Sequence, residues 1–158
     1  MDLIWSPWRY TYVSSAAESD SCVFCIGSPQ GDETRLVLYR GEFNFVIMNL
    51  YPYTSGHLMV APYAHVPSIT GTEPEHLGEL FALARRSVEV LETVYRPEGF
   101  NLGMNLGACA GAGVRGHIHL HVVPRWCGDV NFMTSTGETR VLPEDLPTTF
   151  RKLLPLFG

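Results

Sequence analysis

The sequence predicts an α+β fold, an antiparallel sheet carrying one main helix. Three observations point there. Short runs rich in β-formers recur between glycine and proline turns, one long stretch repeats its apolar residues at helical spacing, and a strand-like segment alternates histidine with aliphatic residues. The 158 residues suit one domain, 1–158, with an irregular arm over 1–32 and a C-terminal tail over 134–158. Neither an internal repeat nor a second domain is visible.

The elements follow in order. The arm has little periodicity, and its Trp5, Trp8, Tyr10 and Tyr12 need a surface to pack on, either the core or a second subunit. Leu36–Tyr39 and Phe43–Met48 read as strands, with Gly41 in the turn between them. Tyr51–Gly56 is a turn-rich connection, and His57–Ala61 is a third strand closed by Pro62. Thr72 and Glu75 form a Thr-x-x-Glu capping box, with Ile69 as the apolar lead-in. The helix it predicts turns Leu77, Leu80, Phe81, Ala84, Val88, Leu91 and Tyr95 to one side, and Pro97 and Gly99 end it. Phe100–Asn105 and His117–Val123 read as two further strands, and a short helix is expected over Pro143–Leu154.

Composition narrows the function classes. Apolar residues make up 46% and charged residues 17%, a globular balance rather than a disordered one. The net charge of −5 argues against a partner held by bulk positive charge, which is the way nucleic acid and anionic membrane are bound. No window approaches a membrane span and no basic patch precedes an apolar run near Met1, so a cytoplasmic protein is expected. Four cysteines do not make a disulfide scaffold at this length. Cys109 and Cys127 read as incidental thiols.

The chemistry concentrates in His117-Ile-His-Leu-His121. Strand side chains alternate, so His117, His119 and His121 share one face while Ile118, Leu120 and Val122 enter the core. A solvated face needs no imidazoles, and three of the six histidines lie here. Two chemistries suit such a row. One is a catalytic metal with an open position for water. The other is covalent catalysis, in which a neutral imidazole, with an ordinary pKa of about 6.5, attacks phosphorus.

Cys22-Val-Phe-Cys25 bears on that choice. A C-x2-C pair in a glycine- and serine-rich loop reads as half of a zinc site, because a redox pair would open a helix after a strand. His65, just past a strand end, and His117 can complete a closed Cys2His2 set, which is a structural site with no open position. His119 and His121 are then left for phosphate. The loop Gly107–Gly116 can bring backbone N–H groups to an anion. His57 reads as a satisfied, half-buried histidine and His76 as a solvated one.

These residues resemble the histidine-triad proteins, whose motif is His-φ-His-φ-His-φ-φ, here His117–Val123. The likeness runs over most of the chain and includes Trp5-Ser-Pro-Trp-Arg9, Gly56-His-Leu-Met-Val60 and Pro62-Tyr-Ala-His65. It is nearest to the branch of bacterial diadenosine tetraphosphate phosphorylases through Asn49-Leu-Tyr-Pro-Tyr53, Gly99–Gly107 and Pro124–Met133. The resemblance implies a homodimer, and an enzyme acting on a small nucleotide such as a dinucleoside polyphosphate. His119 would be the nucleophile and His121 would orient the phosphate. Asn49 would hold the ribose, and Asn105 and the loop around Gly113 would cradle the phosphates. Cys22, Cys25, His65 and His117 match the structural Zn2+ set of the zinc-containing members. Many members carry Gln-Ser/Thr-Val before the triad. Here Ala112-Gly-Val-Arg-Gly116 stands there, one residue longer, with Arg115 as the compensating group. Adenosine phosphoramidate hydrolysis and a non-catalytic, zinc-stapled nucleotide-binding module are the alternatives the same residues allow.

Overall fold

The computed structural model describes residues 22–129 and 142–158. Expectations for the aromatic arm up to Ser21, and for the part of the tail between 130 and 141, lie outside the described residues. Five antiparallel strands form one sheet: β1 (Val37–Arg40), β2 (Asn44–Met48), β3 (Leu58–Pro62), β4 (Gly99–Gly103) and β5 (Leu120–Arg125), in the order β1-β2-β3-β5-β4. A 3-10 turn at Pro29–Gly31 leads into the single helical turn α1 (Asp32–Arg35) at the end of the arm. The main helix α2 spans Pro74–Tyr95, and α3 spans Leu146–Phe157.

The period-2 pattern puts Val46, Met48, Leu58, Val60, Leu120 and Val122 on one face of the sheet. There they pack with Leu80, Leu83, Ala84, Val90 and Leu91 of α2 and with Phe150, Leu153 and Phe157 of α3. The opposite face carries Phe45, Ile47, Met59 and Ala61, covered by Phe24, Cys22 and Ile26 from the segment before α1. The sheet therefore has helices on one side and the cysteine segment on the other. Among the described residues, no helix is long and apolar enough to cross a membrane.

Five local expectations are corrected. Thr72 does not cap α2. Its hydroxyl donates to the Ser68 carbonyl at 3.1 Å, and the helix starts behind Glu73 with Pro74 in its first turn, whose fixed φ suits that place. Phe81 is 58% exposed, and Leu83, Ser87 and Val90 take the buried stripe in its stead. The helix meets the sheet through a stripe rotated from the predicted one. His76 is half-buried, its ring stacked on Phe43 at 4.1 Å. The ladder of the histidine strand begins at Leu120. His117 to His119 run ahead of it, tied by Ile118 N–H to the Val66 carbonyl at 2.8 Å. The C-terminal helix sits later than expected, with the Asp145 carboxylate accepting the Thr148 N–H at 2.8 Å as its cap.

Candidate active site and metal centre

Cys22 and Cys25 stand on a tight turn in which Cys25 N–H donates to the Cys22 carbonyl at 3.1 Å. Cys22 Sγ lies 3.5 Å from His117 Nδ1, and Cys25 Sγ lies 3.3 Å from His65 Nδ1. Ligand atoms of all four residues fall within 4.8 Å of one another. Tetrahedral zinc, with bonds of about 2.0–2.3 Å, sets ligand atoms roughly 3.3–3.8 Å apart, so this donor set fits the ion. The Pro62 carbonyl accepts from His117 Nε2 at 2.7 Å, which puts the ring proton on Nε2 and turns the Nδ1 lone pair toward the thiols. Burial holds His117 below its ordinary pKa, against the opposing effect of that hydrogen bond, and so favours the neutral, ligating form. A Cβ at Gly116 would stand 2.8 Å from His65 Nε2, so any side chain there would push the His65 ring out of its present place.

His119 is set by the same backbone. Its Nδ1 lies 2.9 Å from the His117 carbonyl, which can only accept, so Nδ1 carries the proton and Nε2 keeps a bare lone pair. The residue is 6% exposed, and burial depresses its pKa, again against that hydrogen bond. His121 stands edge-on to it, ring centroids 4.9 Å apart. The ring of Phe24 stacks on its face at 4.6 Å.

His121 is oriented by His57, the residue that sequence reading took for a merely satisfied histidine. Tyr53 N–H donates to His57 Nδ1 at 3.1 Å, so the His57 proton sits on Nε2 and is donated to His121 Nδ1 at 2.9 Å. His121 therefore bears its own proton on Nε2. His57 is 1% exposed and its pKa falls to about 3, mainly through burial and then through the fields of His121 and His119. The turn that delivers it needs Gly56, whose φ of +79° and 2.9 Å clearance from Leu91 exclude a side chain. In the sequence the signal is that glycine and the place of His57 in the motif Gly56-His-Leu-Met-Val60. The approach of His57 to His121 depends on how β3 pairs with β5, Met59 opposite His121.

The remaining predicted residues are dispersed around this row. The Asn49 side chain turns into its own loop, Oδ1 accepting Tyr51 N–H at 2.9 Å and Nδ2 lying 3.4 Å from His57 Nδ1. Asn105 lines a cavity of about 400 Å³ together with His121, Tyr53, Asn101 and Arg125. The glycine-rich loop holds a 3-10 turn at Ala108–Ala110, and Gly107 and Gly111 adopt positive φ on either side of it. Gly113 and Arg115 are exposed on that loop, and Val114 packs against the Phe24 cluster.

The family model of the HIT domain matches residues 30–127. This chain belongs to the HIT family. Its relatives include an "AP-4-A phosphorylase" of Mycobacterium tuberculosis, 39% identical over 95% of this chain and 81% of that protein. A "Bis(5'-nucleosyl)-tetraphosphatase [asymmetrical]" of Schizosaccharomyces pombe is 35% identical over 56% of this chain and 48% of its own length. Among solved structures, a zinc-bound histidine triad family protein from Mycobacterium smegmatis aligns with a TM-score of 0.67 at 31% identity, covering 87% of this chain and 93% of its own. The antiparallel sheet with helices is thus the HIT fold, as the resemblance implied.

Proposed function

We propose that this HIT protein cleaves dinucleoside polyphosphates such as diadenosine tetraphosphate by way of a nucleotidyl group carried on His119. The observation that carries the reading is the tautomer of His119: with Nδ1–H held by the His117 carbonyl, Nε2 presents a lone pair beside His121. Nε2 forms a bond to the α-phosphorus, and the bond from that phosphorus to the bridging oxygen breaks, expelling a nucleoside polyphosphate. His121, whose Nε2 bears a proton, holds a phosphate oxygen and orients the group under attack. Inorganic phosphate or water then takes the nucleotide from His119. Asn49 serves the ribose, while Asn105, Gly113 and Arg115 face the phosphates, with the cavity beside His121 taking the remainder of the substrate. The names of the two relatives support this substrate class.

Cys22, Cys25, His65 and His117 would hold a structural Zn2+, whose contribution is to brace the arm against the sheet. His119 commits Nδ1 to a carbonyl and stands outside the cluster of the four, which favours covalent catalysis over a metal held by the whole triad. The chain acts as one domain in a homodimer, in a reducing cytoplasm that keeps both cysteines free of disulfides and open to the metal.

Incubation with diadenosine tetraphosphate, with and without inorganic phosphate, tests the reading. ATP and ADP formed only with phosphate identify a phosphorylase. ATP and AMP formed regardless of phosphate identify a hydrolase working through the same intermediate. Absence of both pairs overturns the substrate class and turns attention to adenosine phosphoramidates.

A further inference from the structure

We propose that Phe24 is a positioning residue for His119, through which the metal-binding turn fixes the direction of the attacking nitrogen. The inference rests on the reading of His119 as nucleophile. Phe24 lies between Cys22 and Cys25, and two backbone bonds close the turn around it: Cys25 N–H to the Cys22 carbonyl at 3.1 Å and Ile26 N–H to the Phe24 carbonyl at 2.9 Å. The turn sends neighbouring side chains opposite ways. Val23 is 55% exposed, whereas Phe24 is 3% exposed among Val37, Phe45, Ile47, Met59 and Ala61. Its ring lies on the imidazole of His119 at 4.6 Å and 29°, and reaches His117 at 5.5 Å and 54°.

The imidazole needs this support. The terminal torsion of histidine is broad and roughly two-fold, so a half-turn exchanges Nδ1–H for Cδ2–H at the His117 carbonyl and swings Nε2 away from the phosphorus. A single hydrogen bond at 2.9 Å opposes that turn from one edge of the ring. Phe24 opposes it from the face, with a flat surface that an imidazole can leave only by breaking the stack. His121 stands perpendicular on another side. Three of the four metal-site residues thus reach His119 by two routes: the carbonyl of His117, and the ring that Cys22 and Cys25 carry between them. Phe24 acts through His119 and takes no part in bond making.

The test compares wild type, Phe24→Leu and Phe24→Ala, all zinc-loaded. Leucine keeps most of the apolar volume and removes the flat face, so Phe24→Leu carries the test if Phe24→Ala fails to fold. Metal content, KM and kcat for diadenosine tetraphosphate, and the ring-nitrogen NMR spectrum that reports histidine tautomers are measured at one neutral pH. Phe24→Leu should keep its metal and its KM, lose about tenfold in kcat, which corresponds to 1.36 kcal/mol of barrier, and show His119 as a mixture of tautomers or ring orientations. An unchanged kcat with a single His119 tautomer overturns the proposal. So does a rise in KM alone, which would make Phe24 a substrate contact, or a fall in kcat matched by metal loss, which would make it packing for the turn. If wild type leaves diadenosine tetraphosphate intact, the functional reading fails, and the NMR comparison still decides whether Phe24 orders His119.

Discussion

His57→Asn should remove much of the pH dependence of stability on the acid side. In the folded chain His57 is 1% exposed and titrates near 3, against an ordinary value of 6.5, because burial and the neighbouring histidines disfavour its charged form. Between those values the unfolded chain binds a proton at this site and the folded chain does not. Stability must therefore fall as pH falls through 6.5, at about 1.4 kcal/mol per pH unit, with no contribution well above 6.5. Between pH 7 and pH 5 the loss assigned to His57 integrates to about 2 kcal/mol. Asparagine removes the titration, and its Oδ1 can take over the Tyr53 N–H that Nδ1 accepts. Urea unfolding of both zinc-loaded proteins at pH 7 and pH 5 measures the effect as the difference of the two pH-dependent changes, in which the titrations of His117 and His119 cancel. A wild type and variant that lose the same stability over that interval, within about 0.5 kcal/mol, would refute the buried, neutral donor on which the orientation of His121 depends.

Three further outcomes are expected. His119→Ala should lower turnover of diadenosine tetraphosphate by about 10³-fold or more while metal content, read by atomic absorption, stays at the wild-type level; near-wild-type turnover would exclude His119 as nucleophile. Gly116→Ala puts a Cβ where it would stand 2.8 Å from His65 Nε2, so zinc affinity in a chelator competition should fall by roughly tenfold or more, and unchanged affinity would remove His65 from the ligand set. Glu79→Gln weakens the carboxylate that accepts Glu42 N–H, Phe43 N–H and Asn44 Nδ2 at the β1–β2 turn. It should cost about 2 kcal/mol in urea unfolding with little change in turnover, and a cost near zero would show that the turn is held by other contacts.

Much of the chemistry is legible in the chain because it rides on local periodicity. Strand alternation alone sets His119 and His121 together on the face away from Leu120 and Val122, and the spacing of Cys22 and Cys25 alone proposes half a metal site. Five strands and the main helix follow from β-rich runs, turn residues and one long helical pattern, to within a few residues at their ends. Tertiary structure decided the rest. His57 becomes the donor to His121 only through the pairing of β3 with β5, and one residue of slip would turn it to the other face. Phe24 meets His119 because the cysteine turn folds across the sheet from 95 residues away. Phe81 stays in solvent while Leu83 and Val90 are buried, since an amphipathic helix offers a broad apolar stripe and the sheet selects which part to cover. Periodicity is a property of neighbours along the chain, so sequence determines which side chains share a face. Which faces meet, and which rings then touch, is settled by packing among residues far apart in sequence.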